Sequence, residues 1–562
     1  MISKYFKFFL LILLFYQTPA LSKSDSFEKI DSEPLSNYFS GIVAFENKRN
    51  SDSLNFFRTS KILIDKHDPY LKRYVYALVL DGKVQNAINL IKRNLLKNNS
   101  NFFEGYLLLI ADSLKRNDFD KAEQYLIKLS FFTEQNRFNL IVHEILKRYI
   151  YVFKEKKLFS VRQRLGNLDI ITETFTRCYL GDQNIDEYYS QLTSQNNKTD
   201  FSRYIFFYFS YLIESNQLEK AKEISKNIKY INNTILVSQG KNWIDNGEYK
   251  KFDKIFSCQN HLDLISEFFF LISNLYSSQE EFKKSNFYIN VSNYLNPDFI
   301  FNLASEADNY YQIQNYKKAK KLLRNLKEEN LSYYWFRLKK EAQIVSETSN
   351  KKNAANFLYQ KYLKLKNHNP KMILDVGNFF KRAQDYETAI KFYTKVLNLL
   401  NTNSDSLSDI LYRRGGSYER IGDFENSDKD LIESLSINPN NAYVLNYLAY
   451  SWLERDYKIN EAIKMLEKAY ATESEDPYII DSIGWAYFLI GNYIKAEKFL
   501  KKAVQLMPMD PIVNDHYGDI LWKLGRKIQA RYFWSSVLTF EDTEEEMKDK
   551  IEYKLISGLK KT

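Results

Sequence analysis

The sequence predicts an all-α fold, an α-solenoid of stacked helical hairpins. Two observations predict it. Small residues recur at a period of about 34 through much of the chain, and Gly (16) and Pro (9) are scarce for 562 residues. All-β sandwiches and barrels need many more turn residues. At 44% hydrophobic and 27% charged, the composition is that of a folding chain rather than a disordered one.

The period is clearest in the C-terminal half. A small residue recurs at Gly377, Gly415, Ala449, Gly484 and Gly518, in steps of 38, 34, 35 and 34. Twelve or thirteen residues after each stands a second small one: Ala389, Ser427, Ala462, Ala496 and Ala530. Four residues further comes a large one: Tyr393, Leu431, Leu466, Leu500 and Trp534. Pro439 and Pro508 close two of the units, where a helix must stop. Such a unit holds two helices, A and B, of about 13 residues each and two short turns. The small residue of helix A lets helix B approach, and that of helix B receives the next helix A. The large residue is expected to plug the gap between neighbouring units. A single hairpin cannot bury its apolar face, so stacking is obligatory.

Upstream, Ala307, Ala342 and Gly377 are 35 apart, as are Ala319, Ala354 and Ala389, with Ser273 and Ser285 one period earlier. Gly41, Val75 and Ile110 follow steps of 34 and 35, tracked by Ser53, Ala87 and Ala122; Phe209 and Ala221 fit another unit. Residues 130–200 are helical in pattern without a fixed register. The expected organisation is a signal segment at 1–22, degenerating helical repeats at 23–200, a solenoid at 201–540 that is most regular from 370, and a capping helix at 541–562. For the cap, Asp542 or Thr543 is the expected N-cap, with Glu544, Glu545 and Glu546 in the first turn, where the helix dipole favours them, and Lys560 and Lys561 at the far end.

Lys4 and Lys7 precede an apolar run from Phe8 to Tyr16, and Ala20-Leu21-Ser22 offers small residues for cleavage after Ser22. This reads as a secretory signal, with an uncleaved anchor as the alternative, and makes the chain exported, periplasmic or envelope-associated. Net charge is +10, from 80 Lys+Arg and 70 Asp+Glu. The two signs are interspersed, which fits solvated helix surfaces and gives no nucleic-acid footprint. Cys178 and Cys258 could pair in an oxidising compartment, but read first as small apolar side chains in separate helices.

Ile480, Ile483, Gly484, Tyr487, Ala496, Leu500, Ala503 and Pro508 stand at the offsets of the tetratricopeptide repeat consensus. The chain therefore resembles that family, which implies a right-handed superhelix of antiparallel helix pairs whose inner wall is built by helix A. Arg414 departs from the usual Leu, and the Ala449 unit carries an extra residue between its helices. On that resemblance the wall-facing residues are Asn378, Lys381 and Arg382, then Tyr412, Glu419 and Arg420. Asn446 and Tyr450 follow, then Asp481, Trp485 and Phe488, and finally Asp515, Asp519, Trp522 and Lys523. They make an aromatic strip with polar edges, the composition of binding hot spots. Lys339, Gln343 and Asn378 mimic part of the family's carboxylate clamp, but Tyr412 and Gly416 stand where its third repeat needs cations.

No catalytic constellation is present. Gly415-Gly416 lies inside a helix, and His143-Glu144 lacks a second His. Asp515, His516 and Asp519 read as a polar helix face rather than a metal site. No cofactor is expected. The stretches from Asp481 to Tyr487 and from Asp515 to Arg526 look like the C-terminal end of long exported tetratricopeptide proteins of Gram-negative bacteria. Some of these are outer-membrane lipoproteins that serve as adaptors for a periplasmic carboxy-terminal processing protease. The lipid-bearing Cys of those proteins has no counterpart here. The expectation is a non-catalytic exported scaffold that binds proteins or extended peptides in a concave groove, with peripheral association with the cell envelope. The alternatives are a processing-protease adaptor or envelope-assembly factor, and an enzyme acting on cell-wall glycan.

Overall fold

The computed structural model describes residues 32–95, 101–134, 136–160, 165–193, 202–400 and 405–559. The signal segment 1–22, Lys560 and Lys561 lie outside the described residues. Among the described residues the regular structure is helical, with no strand. The chain divides into two compact units. Unit 1 takes the described residues up to Ser225 and Gln239–Tyr333; unit 2 takes Lys226–Ser238 and the chain from Tyr334 onward.

The first helices are α1 (Ser32–Glu46), α2 (Asn50–Thr59), α3 (Pro69–Leu80), α4 (Val84–Arg93), α5 (Phe103–Lys115) and α6 (Phe119–Leu129). Then come α7 (Arg137–Glu155), α8 (Asn167–Tyr179), α9 (Ile185–Thr193), α10 (Tyr204–Glu214), α11 (Leu218–Asn227) and α12 (Ile235–Asp245). Next are α13 (His261–Ser278), α14 (Phe282–Leu295), α15 (Ile300–Gln312), α16 (Tyr316–Leu323), α17 (Leu331–Thr348) and α18 (Lys351–Lys364). The regular repeats are α19 (Pro370–Arg382) with α20 (Tyr386–Leu397), α21 (Asp405–Arg420) with α22 (Phe424–Ile437), and α23 (Ala442–Glu454) with α24 (Ile459–Thr472). Two more follow, α25 (Pro477–Leu489) with α26 (Tyr493–Leu506) and α27 (Pro511–Lys523) with α28 (Lys527–Val537), before the terminal α29 (Glu545–Ser557).

Local chemistry sets these boundaries. Asn369, Asp476 and Asp510 cap helices whose first residue is proline, where a missing N–H costs nothing. Between helices A and B the chain turns through a residue of positive φ, with a second, Lys458, in the Ala449 unit. The first falls seven positions after the helix-A marker: Gln384 after Gly377, Gly422 after Gly415, Asp456 after Ala449, Gly491 after Gly484 and Gly525 after Gly518. The same offset holds upstream for Lys48, Gly82, Asn117, Asn216, Glu280 and Gln314. The left-handed residue reverses the chain, and in five units the next side chain (Asp118, Asn315, Asp385, Asp423, Asn492) caps helix B. Applied to Lys156 and Gly181, the offset marks Tyr149 and Thr174, both buried, and so gives residues 130–200 their register. There α8 and α9 form a short pair. No helix is described between Glu155 and Asn167, which is why the period breaks.

In the units whose helix A carries a glycine, the large residue seats against that glycine, a contact the sequence expectation did not name. A Cβ at Gly484 would meet Leu500 Cδ2 and Cγ at 2.8 Å, one at Gly377 would meet Tyr393 at 3.0 Å, and one at Gly415 would meet Leu431 at 3.0 Å. At Gly518 the indole of Trp534 fills the space, and at Gly41 the ring of Phe57 lies 2.9 Å away. The plug thus closes each of these hairpins from within.

In unit 1 the inward positions of the early repeats are covered by later helices of the same unit. Tyr76 on α3 stacks on Phe287 of α14 with ring centroids 4.6 Å apart. The Tyr294 hydroxyl lies 2.9 Å from Asp112 Oδ1 and 2.8 Å from Gln85 Oε1, and its one proton can go to either. Arg203 makes a bidentate bridge with the fully buried Glu267, at 2.8 and 2.9 Å, and lies over Phe270 and Phe301. The cysteines correct the sequence reading: Cys178 on α8 is disulfide-bonded to Cys258, which lies in the loop before α13, with Cα atoms 5.8 Å apart. The cap also starts later than expected, with Glu544 as N-cap, while Thr543 donates to the Val537 carbonyl at 2.6 Å.

Two stability outcomes follow from this packing. Gly484→Val forces two methyl groups into the space of Leu500 and is expected to destabilise unit 2 by about 1–3 kcal/mol in urea denaturation. Cys178→Ser with Cys258→Ser removes the cross-link over an 80-residue separation. That change is expected to lower the stability of unit 1 by about 2–5 kcal/mol, and reduction of the unmutated chain is expected to match it.

Candidate functional site

Successive A helices of unit 2, α19, α21, α23, α25 and α27, bring the wall residues of consecutive repeats together. Between α21, α23, α25 and the start of α27 lies a cavity of about 250 Å3, lined among others by Asn446, Tyr450, Glu454, Tyr478 and Asp481. Asn446 Oδ1, Ser451 Oγ and Asp481 Oδ1 are buried atoms in its lining that have no hydrogen-bond partner within the protein. A buried unmatched acceptor costs free energy that an incoming donor would recover. Burial and the neighbouring Glu454 hold the Tyr450 hydroxyl far above its usual range, so it is a neutral donor or acceptor.

Trp485 lies beside this cavity, behind its lining residue Glu454. It stacks on Phe488 and on His516, with centroids 4.7 and 4.1 Å apart and interplanar angles of 10° in both cases. Its Nε1 donates to Glu454 Oε1 at 3.1 Å. His516 Nδ1 lies 2.8 Å from Asp481 Oδ2. Burial lowers the imidazole pKa, but the Asp481 charge and hydrogen bond outweigh it and the net direction is upward. Asp481 is thus half engaged, with one oxygen on His516 and the other unmatched.

Other wall residues are engaged within the protein. Asn378 Oδ1 accepts from the Tyr393 hydroxyl at 2.9 Å, and Lys381 lies 6.0 Å from the Tyr412 ring centroid. Tyr412 meets Tyr447 edge to face, while Arg382 is exposed beside Phe379. Lys339 is bound to Asp375 at 2.9 Å, away from any clamp.

Asp515, Asp519 and Trp522, three of the four wall residues of α27, face the cap. Lys554 of α29 bridges Asp515 at 2.6 Å and both oxygens of Asp519 at 2.8 and 2.9 Å. Asp519 also accepts from Trp534 Nε1 at 3.0 Å and is 4% exposed. Trp522 lies against Trp534, and its ring fills the space that a Cβ on Gly558 would need. Asp515, Asp519 and Trp522 therefore hold the terminal helix, and Asp519 also lines, with Phe488 and Lys523, a cavity of about 610 Å3 bordered by α29. Their helix offsets are those of Asp481, Trp485 and Phe488, and nothing local in the sequence marks the difference. Glu454 was missed, although the offset of five from Ala449 would have named it.

Comparison with known proteins bears on this region. Residues 341–540 match the family model described as Tetratricopeptide repeat. A TPR repeat-containing protein of Pseudomonas aeruginosa is 31% identical over 119 residues, 21% of this chain and 18% of that protein's length. A TPR repeat-containing protein of Methanocaldococcus jannaschii is 23% identical over 412 residues, 70% of this chain and 68% of that one. Among solved structures, a thermophilic TPR protein of Thermus thermophilus is similar at 17% identity and a TM-score of 0.29, covering 33% of this chain and 98% of that one.

The cap has a titration signature. Burial pushes Asp519 up to about 6, the Asp515 charge adds to the rise, and Lys554 opposes it. One ammonium serves two carboxylates, so the folded state favours a proton on the pair. A folded value above the unfolded one contributes stability that is lost as pH rises through about 6. Asp519→Asn removes that loss. Its melting temperature relative to the unmutated chain is expected to rise between about pH 4 and about pH 7. A difference independent of pH would contradict the assignment.

Proposed function

We propose, from the match of residues 341–540 to the tetratricopeptide repeat model, an exported, non-catalytic scaffold whose unit 2 groove binds proteins or extended peptides. Repeats of this family are generally protein-interaction scaffolds. The observation that carries the reading is the cavity between α21, α23 and α25, where the unmatched acceptors of Asn446 and Asp481 stand beside Tyr450 and the Trp485 stack. An extended backbone offers N–H donors to such acceptors, and rigid aromatics supply contact area at small entropic cost.

Export rests on the N-terminal sequence pattern and is supported by the Cys178–Cys258 bond, since disulfides persist in oxidising compartments. Among the described residues no helix is long and apolar enough to cross a membrane. Delivery of substrates to a periplasmic processing protease, or service in envelope assembly, is the narrower version of the same reading. The competing class, a glycan-acting enzyme, needs two carboxylates free to act on a substrate. Asp515 and Asp519 are instead both bound to Lys554. Turnover of glycan substrates would favour that class.

The test is capture from a periplasmic extract. The unmutated chain is expected to retain specific partners that Tyr450→Ala with Trp485→Ala loses. The double variant should lose at least about tenfold in affinity, as hot-spot aromatics do when truncated. Equal recovery by both proteins would move the binding surface away from the groove.

A further inference from the structure

Unit 1 holds a second cavity, of about 710 Å3, at the meeting of the α1–α2 turn, the α3–α4 turn, α14 and α16. Its lining is strongly basic. Lys317, Lys318, Lys320 and Lys321 come from α16 and Arg324 from its end; Lys48, Arg49 and Lys283 complete eight cations, against the carboxylates of Asp52 and Asp81 alone.

Those carboxylates do not balance them. Asp52 is taken by Arg49 at 2.7 Å, and Asp81 pairs at 2.7 Å with Lys83, outside the lining. Lys283 reaches out to Glu46 at 2.6 Å. Lys48 donates to the Ile313 carbonyl at 3.4 Å; Lys318 donates to the Tyr310 hydroxyl at 2.6 Å and the Leu80 carbonyl at 3.4 Å, with the charges of Glu306 and Asp81 near it, so the open charge is that of Lys48 and the exposed lysines of α16. Lys317, Lys320 and Lys321 are exposed and have no carboxylate partner among the described residues.

At several other places on the surface a helical cation meets an acid three or four residues away, as in Arg337–Glu341, Arg413–Asp409 and Lys548–Glu545. No Asp or Glu occurs between Asp308 and Glu328, so α16 has none to offer. Positions 317, 320, 321 and 324 share one face of the helix, which concentrates like charge at the cavity mouth.

We propose that this cavity binds a compact polyanion of the oligophosphate type, carrying three or more negative charges, held by charge-assisted hydrogen bonds from the unneutralised ammonium groups. The volume lies within the range of small-ligand sites, about 300–1,000 Å3. The cationic stripe runs over two helical turns, about 11 Å, which suits a compact ligand and is short for a nucleic-acid strand. Ammonium groups act as point charges and suit phosphate oxygens of varied geometry. A free oligophosphate and an anionic lipid headgroup share this chemistry.

Isothermal titration of the full chain with inorganic tripolyphosphate tests it. Saturable binding that weakens with added salt is expected. Lys320→Glu with Lys321→Glu should weaken it at least about tenfold without changing the melting curve. The same change at the exposed Lys351 and Lys352 should leave binding intact. Competition by phosphatidylglycerol vesicles would make a headgroup the source, and its absence would make the ligand a free anion; both support the site. Absence of saturable binding, equal weakening by the two pairs, or binding of a single-stranded RNA oligomer without binding of tripolyphosphate would overturn the proposal.

Discussion

The seat of a large side chain against a missing one sets the geometry of the repeats. In four units of unit 2 the residue sixteen positions after the helix-A glycine fills the space a Cβ would take, as Leu500 does at Gly484. That contact fixes how closely helix B lies on helix A, and the left-handed residue seven positions on fixes where the chain turns. With both set, each A helix presents the same face to the groove, and side chains from different repeats reach a common cavity. Asn446, Tyr450 and Asp481 meet for this reason and not through any local pairing.

The same regularity explains what the end of the solenoid does differently. A last repeat has no following neighbour, so its wall residues need another cover. Here α29 supplies it: Lys554 enters between Asp515 and Asp519, and Gly558 brings the backbone onto Trp522. Past Trp485 the cavity lined by Phe488, Asp519 and Lys523 is bordered by α29 itself. The cap is held by a buried charge cluster with one cation for two acids, which links its stability to protonation.

Much of this was legible in the sequence because a repeat writes its tertiary contacts into a fixed period. The helices from 370 onward and the glycine positions follow from offsets, and the same offsets name Asn446 and Tyr450, which line one cavity. What was not legible depends on contacts between distant segments. Nothing near Cys178 marks Cys258 as its partner across 80 residues. Nothing near Asp519 or Trp522 tells them from Asp481 or Phe488. The cover placed by α14 over the early repeats of unit 1 joins residues about two hundred positions apart, as Tyr294 and Gln85 show. The basic cavity did leave a local trace, the acid-free stretch from 309 to 327, but chain-wide charge mixing hides it.

Site-specific photo-crosslinking in cells tests the central claim most directly. A crosslinking side chain at Tyr450, in the groove, is compared with one at Ile494, which stands 84% exposed on helix B of the adjoining repeat. The account predicts discrete protein adducts from position 450 and none from 494. Adducts from 494 alone would place recognition on the outer surface and contradict the groove.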